Sequence, residues 1–363
     1  TASVGGQLLP PIMGAAAFVM AETLGVQYGV IIRAAVIPAL LYYGGILVQV
    51  QMRATKEHLN GLPKEQMPKL GKVMRERGHL LIPIAFLLYM LIWSGKTVIF
   101  SAFWTIVVTI LVAELRPISR MSFKDICDAF VAGAKSTVSV AIACACVGII
   151  VGVCGMTGFA LNVAHAIIRI GQHSVLLTLV FTMITCMILG MGLASGPAYI
   201  VTAIAVGPAL ADMGFPLMTA HFIMMWFSID SEITPPVGLA SIVGAGIANA
   251  DPMKTMFTAF KYAKALYILP ILFYYRPALL LQSSLFDIAL TFVTVMLGLI
   301  AFAAVWENYL MRRTTLLERI LLLGGALLLF IPGHIWDFAG IGLFIIVYCL
   351  QRYYCPAGFR QTA

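Results

Sequence analysis

Charged residues are scarce in this sequence. Asp, Glu, Lys and Arg make up only 10% of its 363 residues, whereas 61% are hydrophobic. Soluble globular domains usually carry about 25% charged residues, so this chain has too little polar surface to cover itself in water. The composition excludes an ordinary soluble protein and predicts an all-α polytopic membrane protein in contact with the lipid bilayer.

Motifs for several common chemistries are also missing. The segment SGKT at 94–97 lacks the GxxxxGK frame of a phosphate-binding loop, and the seven Cys show no paired zinc spacing. The net charge of +8 comes from basic residues in short connections between apolar runs, so no nucleic acid partner is expected. A concentration of Lys and Arg in short loops is typical of the cytoplasmic side of a bacterial inner-membrane protein.

Two hydrophobic stretches are interrupted in the middle by Gly, Ser and Pro. The first, at 175–210, contains GMGLASGP from Gly190 onward, and the second, at 220–250, contains SIDSEITPP from Ser228 onward. Each half has roughly 12 to 16 apolar residues, fewer than the roughly 20 that span a bilayer. Unwound backbone at membrane depth is tolerated where it is buried in protein or lines a wet cavity. The pattern predicts a re-entrant hairpin and a discontinuous helix around a binding site.

One topology places every basic connection on the same side of the membrane. It contains a helical hairpin at 80–113, an amphipathic surface helix at 122–134, an outward span at 138–156 and an interfacial segment at 157–172. Further spans follow at 266–280 and 285–305, with a short hairpin at 321–350. In this topology four basic segments are cytoplasmic: 53–77, 116–124, 254–264 and 312–319.

An internal repeat relates the two ends of the central region. GQLLPPIMG followed by IPALLYY recurs as SEITPPVGL followed by LPILFYY, which pairs Pro10 with Pro235 and Pro38 with Pro270. The predicted topology runs the two copies in opposite directions, an architecture found in many secondary transporters. Since the chain starts at Thr1, inside a broken apolar segment, we expect it to be N-terminally incomplete, with a first hairpin upstream.

The repeat suggests a division into five parts. Residues 1–52 are expected to end a first transport repeat, 53–79 to form a basic cytoplasmic linker, and 80–135 to form a scaffold hairpin with the surface helix. Residues 136–282 are expected to form the second transport repeat, and 283–363 additional C-terminal transmembrane helices.

Three segments carry a resemblance to a known family. GGQLLPPIMGAAAFVMAE, GMGLASGPAYIVTAIAVGPAL and SEITPPVGLASIVGAGIANADPM resemble the large membrane subunit of tripartite ATP-independent periplasmic (TRAP) transporters. The chain is most similar to the fused permeases that work with TAXI-type periplasmic binding proteins. The resemblance implies an ion-transporter-superfamily fold with an elevator-type transport domain and cation-driven uptake. It also implies a TAXI-type solute-binding protein as partner, and a small membrane subunit or a fused N-terminal region that this chain does not include.

The resemblance also assigns candidate site residues at the hairpin tip and the helix breaks. Hydroxyl and carbonyl oxygens suit a hard cation such as Na⁺, and the N-terminal end of a half-helix favours an anionic carboxylate. For Na⁺ the candidate residues are Ser3, Gly192, Ser195, Ser231 and Thr234. For the substrate they are Gly5, Gly6, Pro10, Gly196, Pro197, Thr234 and Pro235.

Two carboxylates adjoin the second break. Asp230 and Glu232 are expected near the middle of the membrane, where burying a charge is costly and an ionisable residue indicates function. They are candidates for cation ligands or for proton carriers. The alternative is that the break lies shallower and both side chains are solvated in an outward cavity.

The sequence thus predicts a permease for Na⁺-driven uptake of a small organic anion, such as a dicarboxylate, without an organic cofactor or enzymatic activity. A proton-coupled transporter of the same fold is the main alternative. A channel is less consistent with two inverted broken helices in one chain. An intramembrane enzyme would need a nucleophile and base, and within the predicted spans the only histidine is His221, at a helix start.

Overall fold

The computed structural model describes residues 1–59, 69–94, 96–171 and 174–353, and within them the chain is all-α. Part of the predicted basic linker, 60–68, and the end of the chain, 354–363, lie outside the described residues. Four helical segments of the described residues are long and apolar enough to cross a membrane: Tyr28–Lys56, Pro252–Tyr275 (two consecutive helices taken together), Leu285–Glu307 and His334–Tyr353. The predicted fold class, an all-α polytopic membrane protein, is confirmed.

Sixteen α-helices are present in the described residues. They are α1 (Ala15–Leu24), α2 (Tyr28–Lys56), α3 (Leu70–Arg77), α4 (Leu81–Ile92), α5 (Val98–Ala113), α6 (Phe123–Thr157), α7 (Phe159–Gly171), α8 (Val175–Gly190), α9 (Ser195–Asp212), α10 (Leu217–Asp230), α11 (Leu239–Ala248), α12 (Pro252–Tyr262), α13 (Lys264–Tyr275), α14 (Leu285–Glu307), α15 (Leu316–Phe330) and α16 (His334–Tyr353). Short 3-10 turns occupy Val4–Gln7, Gly78–Leu80 and Pro277–Leu280.

The predicted hairpin and both interruptions are present. Helices α8 and α9 pack against each other around a four-residue bend, in which Gly192 adopts a left-handed conformation with φ of 72°. The second break separates α10 from α11, and the first separates the 3-10 turn Val4–Gln7 from α1. Both Pro-Pro pairs, Pro10-Pro11 and Pro235-Pro236, contain a cis peptide bond.

The half-helices after the two breaks have the same length and the same ending. Helices α1 and α11 each contain ten residues, and each ends at a left-handed residue, Gly25 with φ of 64° and Asn249 with φ of 48°. In both copies the next N–H then reaches the carbonyl five residues earlier, at 3.0 and 2.9 Å respectively. Glycine and asparagine are the residues that most readily take this conformation at a helix C-terminus. The repeat found in the sequence is therefore also a repeat of local structure.

Helix α10 lies at the centre of the protein. All of its residues from Thr219 to Asp230 are buried, and it packs against α1, α8, α9 and α13. Its Trp226 ring meets the rings of Tyr42 and Phe273 edge to face. A helix that is apolar on every side belongs inside a bundle, which explains why the sequence of α10 has no polar face.

Helix α6 differs from the prediction. The expected surface helix at 122–134 and the span at 138–156 form one continuous helix of 35 residues, Phe123–Thr157. No Pro interrupts the sequence between them, so the change from amphipathic to apolar composition does not end the helix. The predicted division between residues 135 and 136 falls inside this helix.

The span predicted at 266–280 is shorter than expected. Helix α13 ends at Tyr275 because Arg276 precedes Pro277, and the residue before a proline is disfavoured in the helical region. Arg276 accordingly has φ of −129° and ψ of 78°. A separate 3-10 turn, Pro277–Leu280, continues the chain. The hairpin predicted at 321–350 is longer than expected, since α15 begins at Leu316 and α16 ends at Tyr353.

Two buried polar clusters attach helices α14 to α16 to the remainder of the protein. In the first, the Arg276 side chain is 5% exposed and its Nη2 donates to Asp337 Oδ1 at 2.5 Å and to the Ile331 carbonyl at 2.6 Å. In the second, Glu307 is 6% exposed and its Oε1 accepts from Gln49 Nε2 at 2.9 Å. The Glu307 carbonyl accepts from Lys56 Nζ at 2.5 Å.

The Arg276–Asp337 pair should be required for stability. Asp337→Ala leaves a buried guanidinium without its counter-charge, so we expect unfolding to become easier by about 3–5 kcal/mol. Thermal unfolding of the protein purified in detergent measures this. As a matched control, Glu114→Ala removes the carboxylate of the exposed Arg120–Glu114 pair and should cost less than about 1 kcal/mol. Equal losses in the two variants would contradict the importance of the buried pair.

Candidate functional site

The three chain interruptions meet one another. We call this region the junction: the first break (8–14), the hairpin tip (191–194), the second break (231–238) and the residues that flank them. Gln7, just before the first break, donates its side-chain Nε2 to Glu232 Oε2 in the second break at 2.7 Å. Glu232 is 9% exposed, so this bond lies largely out of solvent. The two repeats are thus joined directly at their breaks.

Glycines bring the hairpin tip into contact with both breaks. A Cβ at Gly190, the last residue of α8, would lie 2.6 Å from Ser231 Oγ. A Cβ at Gly196, in the first turn of α9, would lie 3.3 Å from the Cβ of Ala15, at the start of α1. Larger residues would push these segments apart, so the glycines are required by close packing. The residues that flank the hairpin tip therefore pack against both breaks.

Each break is also closed by a backbone hydrogen bond. The Gly14 N–H donates to the Gln7 carbonyl at 2.8 Å, and the Ala240 N–H donates to the Glu232 carbonyl at 3.0 Å. The spacing that separates Pro10 from Pro235 also separates Gln7 from Glu232. The two residues are therefore equivalents in the repeat that contact each other, as expected for residues close to a two-fold axis.

Glu232 faces donors that suit a carboxylate. Besides Gln7 Nε2, the backbone N–H of Ser195, the first residue of α9, lies close enough to act as a hydrogen-bond donor to it. The free N–H groups at a helix N-terminus and its positive dipole end both favour an anion. The start of α9 thus favours a carboxylate at this position, while carboxylate binding at the half-helix that follows Pro235-Pro236 stays a prediction.

The predicted hydroxyl residues form local hydrogen bonds. Thr234 Oγ1 donates to the Asp230 carbonyl at 2.7 Å and lies 2.9 Å from the Tyr267 hydroxyl. Ser231 Oγ donates to the Ser228 carbonyl at 2.6 Å. Each hydroxyl keeps acceptor capacity after donating. Ser195 is buried at 7% exposure at the start of α9.

Asp230 is the most isolated charged group of the junction. It is fully buried, and neither oxygen of its carboxylate has a hydrogen-bond partner within the described part of the chain. Tyr42, Tyr267 and Cys186 lie close enough to interact with it electrostatically. A buried carboxylate without partners is very costly when ionised. A proton or a cation is needed to neutralise it.

Several predicted residues have a structural role at their positions. Gly5 is buried where any side chain would collide with Tyr42, and Gly192 supplies the left-handed turn of the hairpin tip. Ser3 and Gly6 are exposed on the 3-10 turn before the first break. Pro10 and Pro235 are half-buried within the breaks, and Pro197 is buried in the first turn of α9. Binding roles for all of these residues remain predictions.

Sequence reasoning missed some polar residues of this region. The sequence pattern indicates Glu232 as a candidate but not Gln7, its partner in the repeat. Aligning the two copies position by position identifies Gln7. Tyr267 carries no comparable signal, because it reaches Thr234 only through packing of α13. Two further buried contacts deeper in the bundle were also missed: Tyr199 Oη to His221 Nδ1 at 2.6 Å and Thr202 Oγ1 to Ser228 Oγ at 2.7 Å.

Within the described residues, no group of three or more His, Cys, Asp or Glu side chains could hold a metal ion. A cation at the junction would therefore depend mainly on hydroxyl and carbonyl oxygens. This donor set suits a hard monovalent ion better than a transition metal.

Comparison with known proteins gives one match. Residues 1–279 match the family model described as the tripartite ATP-independent periplasmic transporter, DctM component. No curated protein and no solved structure matches the chain. The matched part contains the junction and both repeats, and it ends before α14 begins.

The contact between Gly190 and Ser231 can be tested by stability. Gly190→Ala places a methyl group against Ser231 Oγ, and we expect it to destabilise the protein by about 1–3 kcal/mol, as overpacking does. Adding Ser231→Ala removes the obstructing oxygen and should restore part of the loss in thermal unfolding.

Gly244→Ala is the matched control, because Gly244 lies in α11 with open space around the position of a Cβ. It should be neutral or slightly stabilising, since alanine favours a helix by about 1 kcal/mol over glycine. If Gly190→Ala is tolerated as well as Gly244→Ala, the hairpin tip is not packed on the second break.

Proposed function

We propose that this chain, which belongs to the DctM family of large TRAP transporter permease components, couples Na⁺ entry to uptake of a small organic anion. The family implies a multi-pass membrane protein and a periplasmic binding protein as partner. The main support for this proposal is that the hairpin tip and the two helix breaks meet around buried polar groups at the junction. Because the family transports solutes, transport is favoured over the channel and the intramembrane enzyme.

An organic anion, expected to be a carboxylate, fits the donor side of the junction. The start of α9 and Gln7 Nε2 face the Glu232 carboxylate, so these donors already accommodate a group of the kind that a substrate would bring. Gly196 and Pro197 lie in the first turn of α9, and Pro235 precedes α11. A substrate carboxylate would compete with Glu232 for the same donors, and Gly5, Gly6 and Pro10 are the substrate candidates of the first repeat.

The coupling cation is proposed to lie beside the second break. Ser195, Ser231 and Thr234 provide hydroxyl oxygens there, and Gly192 and Ser3 provide carbonyl oxygens in the hairpin tip and in the first repeat. Hydroxyl and carbonyl oxygens are hard ligands that suit Na⁺. Asp230 adds the negative charge that would attract the ion into a buried position.

Proton coupling is the second candidate, and one observation favours it. Asp230 is fully buried with no hydrogen-bond partner for either carboxylate oxygen among the described residues. A protonated Asp230 could occupy that environment without a counter-ion. Proton release to one side of the membrane and uptake from the other would then replace Na⁺ in the transport cycle.

We also propose that the permease lies in the bacterial inner membrane, moves by an elevator-type mechanism and receives its substrate from a TAXI-type periplasmic binding protein. The α4 and α5 helices pack mainly on each other, and α4 also packs on α2, which supports a scaffold separate from the moving repeats. A small membrane subunit or an N-terminal region would add to that scaffold.

Na⁺ binding can be tested without knowing the substrate. Thr234→Val keeps the shape of the side chain and removes one oxygen, so the Na⁺ concentration for half-maximal thermal stabilisation should rise by about tenfold, the effect of about 1.4 kcal/mol. Unfolding is measured in NaCl against choline chloride at equal ionic strength. Thr258→Val is the matched control, because Thr258 Oγ1 also donates to the carbonyl four residues earlier, at 2.8 Å, but on an exposed face of α12. An equal response of both variants would place the cation elsewhere.

Asp230→Asn distinguishes the two coupling ions. If Na⁺ is coupled, uptake of a radiolabelled dicarboxylate by the complete transporter should still require Na⁺ in the variant, with a raised half-maximal concentration. The reason is that the amide keeps an oxygen but loses the charge.

The opposite result would identify H⁺. In that case uptake by the parent protein ignores Na⁺ and depends on pH, and Asp230→Asn abolishes the pH dependence. Retained uptake in Asp230→Asn, equal to the parent at limiting cation, would remove Asp230 from the site altogether.

A further inference from the structure

A basic cavity lies away from the junction, between α3 and the loop that follows α5. Its volume is about 710 Å³, and it is lined by Lys72, Arg75, Glu76, Arg116, Pro117 and Ile118. Three of these side chains are cationic and one is acidic. Both segments belong to the basic connections that the sequence places in the cytoplasm, so the cavity faces the cytoplasmic leaflet of the membrane.

The arrangement of charges leaves cationic groups available in this cavity. The Arg116 guanidinium donates to the Arg75 and Glu76 carbonyls, which fixes the loop after α5 against the end of α3. Lys72 and Arg75 form no ion pair with any residue that the structure describes. Glu76 is the acid that lines the cavity, and Glu114, which follows α5, is paired with Arg120 at 3.0 Å. The cavity therefore has an excess of positive charge.

Helix α3 beside the cavity is amphipathic and has an unburied apolar face. Leu70, Val73 and Met74 are 75%, 39% and 46% exposed and follow the spacing that places residues on one side of a helix. Lys72 and Arg75 lie on another side. A short amphipathic helix with a basic polar face lies in the membrane interface, with its apolar face among the acyl chains. At the start of α4, Leu81 and Ile82 are also about half exposed.

We propose that this cavity binds the phosphate of an anionic phospholipid, of the phosphatidylglycerol class, in the cytoplasmic leaflet. Lys72 and Arg75 provide the charge, and Arg116 holds the two walls together. Basic pockets between membrane helices on the cytoplasmic side are suited to anionic headgroups. The exposed apolar face of α3 distinguishes a lipid from free phosphate, because it offers the acyl chains a surface beside the headgroup. The site is independent of the transported anion and of the coupling ion.

Lipid titration followed by native mass spectrometry tests the proposal. Dioleoyl phosphatidylglycerol and dioleoyl phosphatidylcholine are added in turn to the full chain in detergent. The parent should retain phosphatidylglycerol more tightly than phosphatidylcholine. Lys72→Gln/Arg75→Gln should weaken phosphatidylglycerol by about 30-fold, since each basic residue near an anionic surface contributes about 1 kcal/mol. Phosphatidylcholine binding should be unchanged.

The matched control is Lys254→Gln/Lys261→Gln, which removes two exposed cytoplasmic cations of α12 that do not line the cavity. Equal weakening in this control would show general charge attraction and overturn the site, as would equal retention of the two lipids by the parent. Displacement of phosphatidylglycerol by millimolar inorganic phosphate would assign the cavity to free phosphate instead. Unfolding in detergent without added lipid confirms that each variant is folded.

Discussion

Backbone polar groups inside a membrane need partners, and this constraint organises the whole protein. A helix satisfies its own N–H and C=O groups, but a break leaves them free at a depth where water is scarce. The three interruptions lie together, where the Gly14 N–H returns to the Gln7 carbonyl and the Ala240 N–H to the Glu232 carbonyl. Placing the breaks side by side confines the unwound backbone to a single polar region. That region is consequently where we propose that an ion exchanges its hydration shell for fixed oxygens.

The internal symmetry explains how the breaks come to meet. Gln7 and Glu232 occupy equivalent positions of the repeat and contact each other at 2.7 Å. Near a two-fold axis an amide and a carboxylate can pair, whereas two glutamates would repel and two glutamines would leave the site uncharged. At this contact between the two copies, the equivalent residues therefore differ in sequence. This asymmetry directs the negative charge to the second repeat, next to Asp230 and the hydroxyls of the second break.

The sequence allowed the fold to be predicted wherever composition sets local structure. Gly190 and the Pro-Pro pairs marked the breaks, and the low charge content fixed the class. The prediction of two separate helices was wrong at α6, because a change from amphipathic to apolar composition does not end a helix that contains no proline. Among the residues of the junction, Ser231, Glu232 and Thr234 were predicted from the break itself. Tyr267 could not be, since its contact with Thr234 arises from the packing of α13, which no local pattern encodes.

The C-terminal helices, which lie beyond the part that matches the family, are also held by buried polar contacts. The Glu307 cluster binds α14 to α2, which ends the first repeat, and the Arg276 cluster binds α16 to the end of the second repeat. Sliding of α14–α16 against either repeat would separate a buried charge from its partner, at about 3–5 kcal/mol for each cluster. The apolar contact of α14 with α2, where a side chain at Gly44 would strike Met296, opposes the same movement. If the two repeats move as one body, α14–α16 must therefore move with them and not with the α4–α5 hairpin.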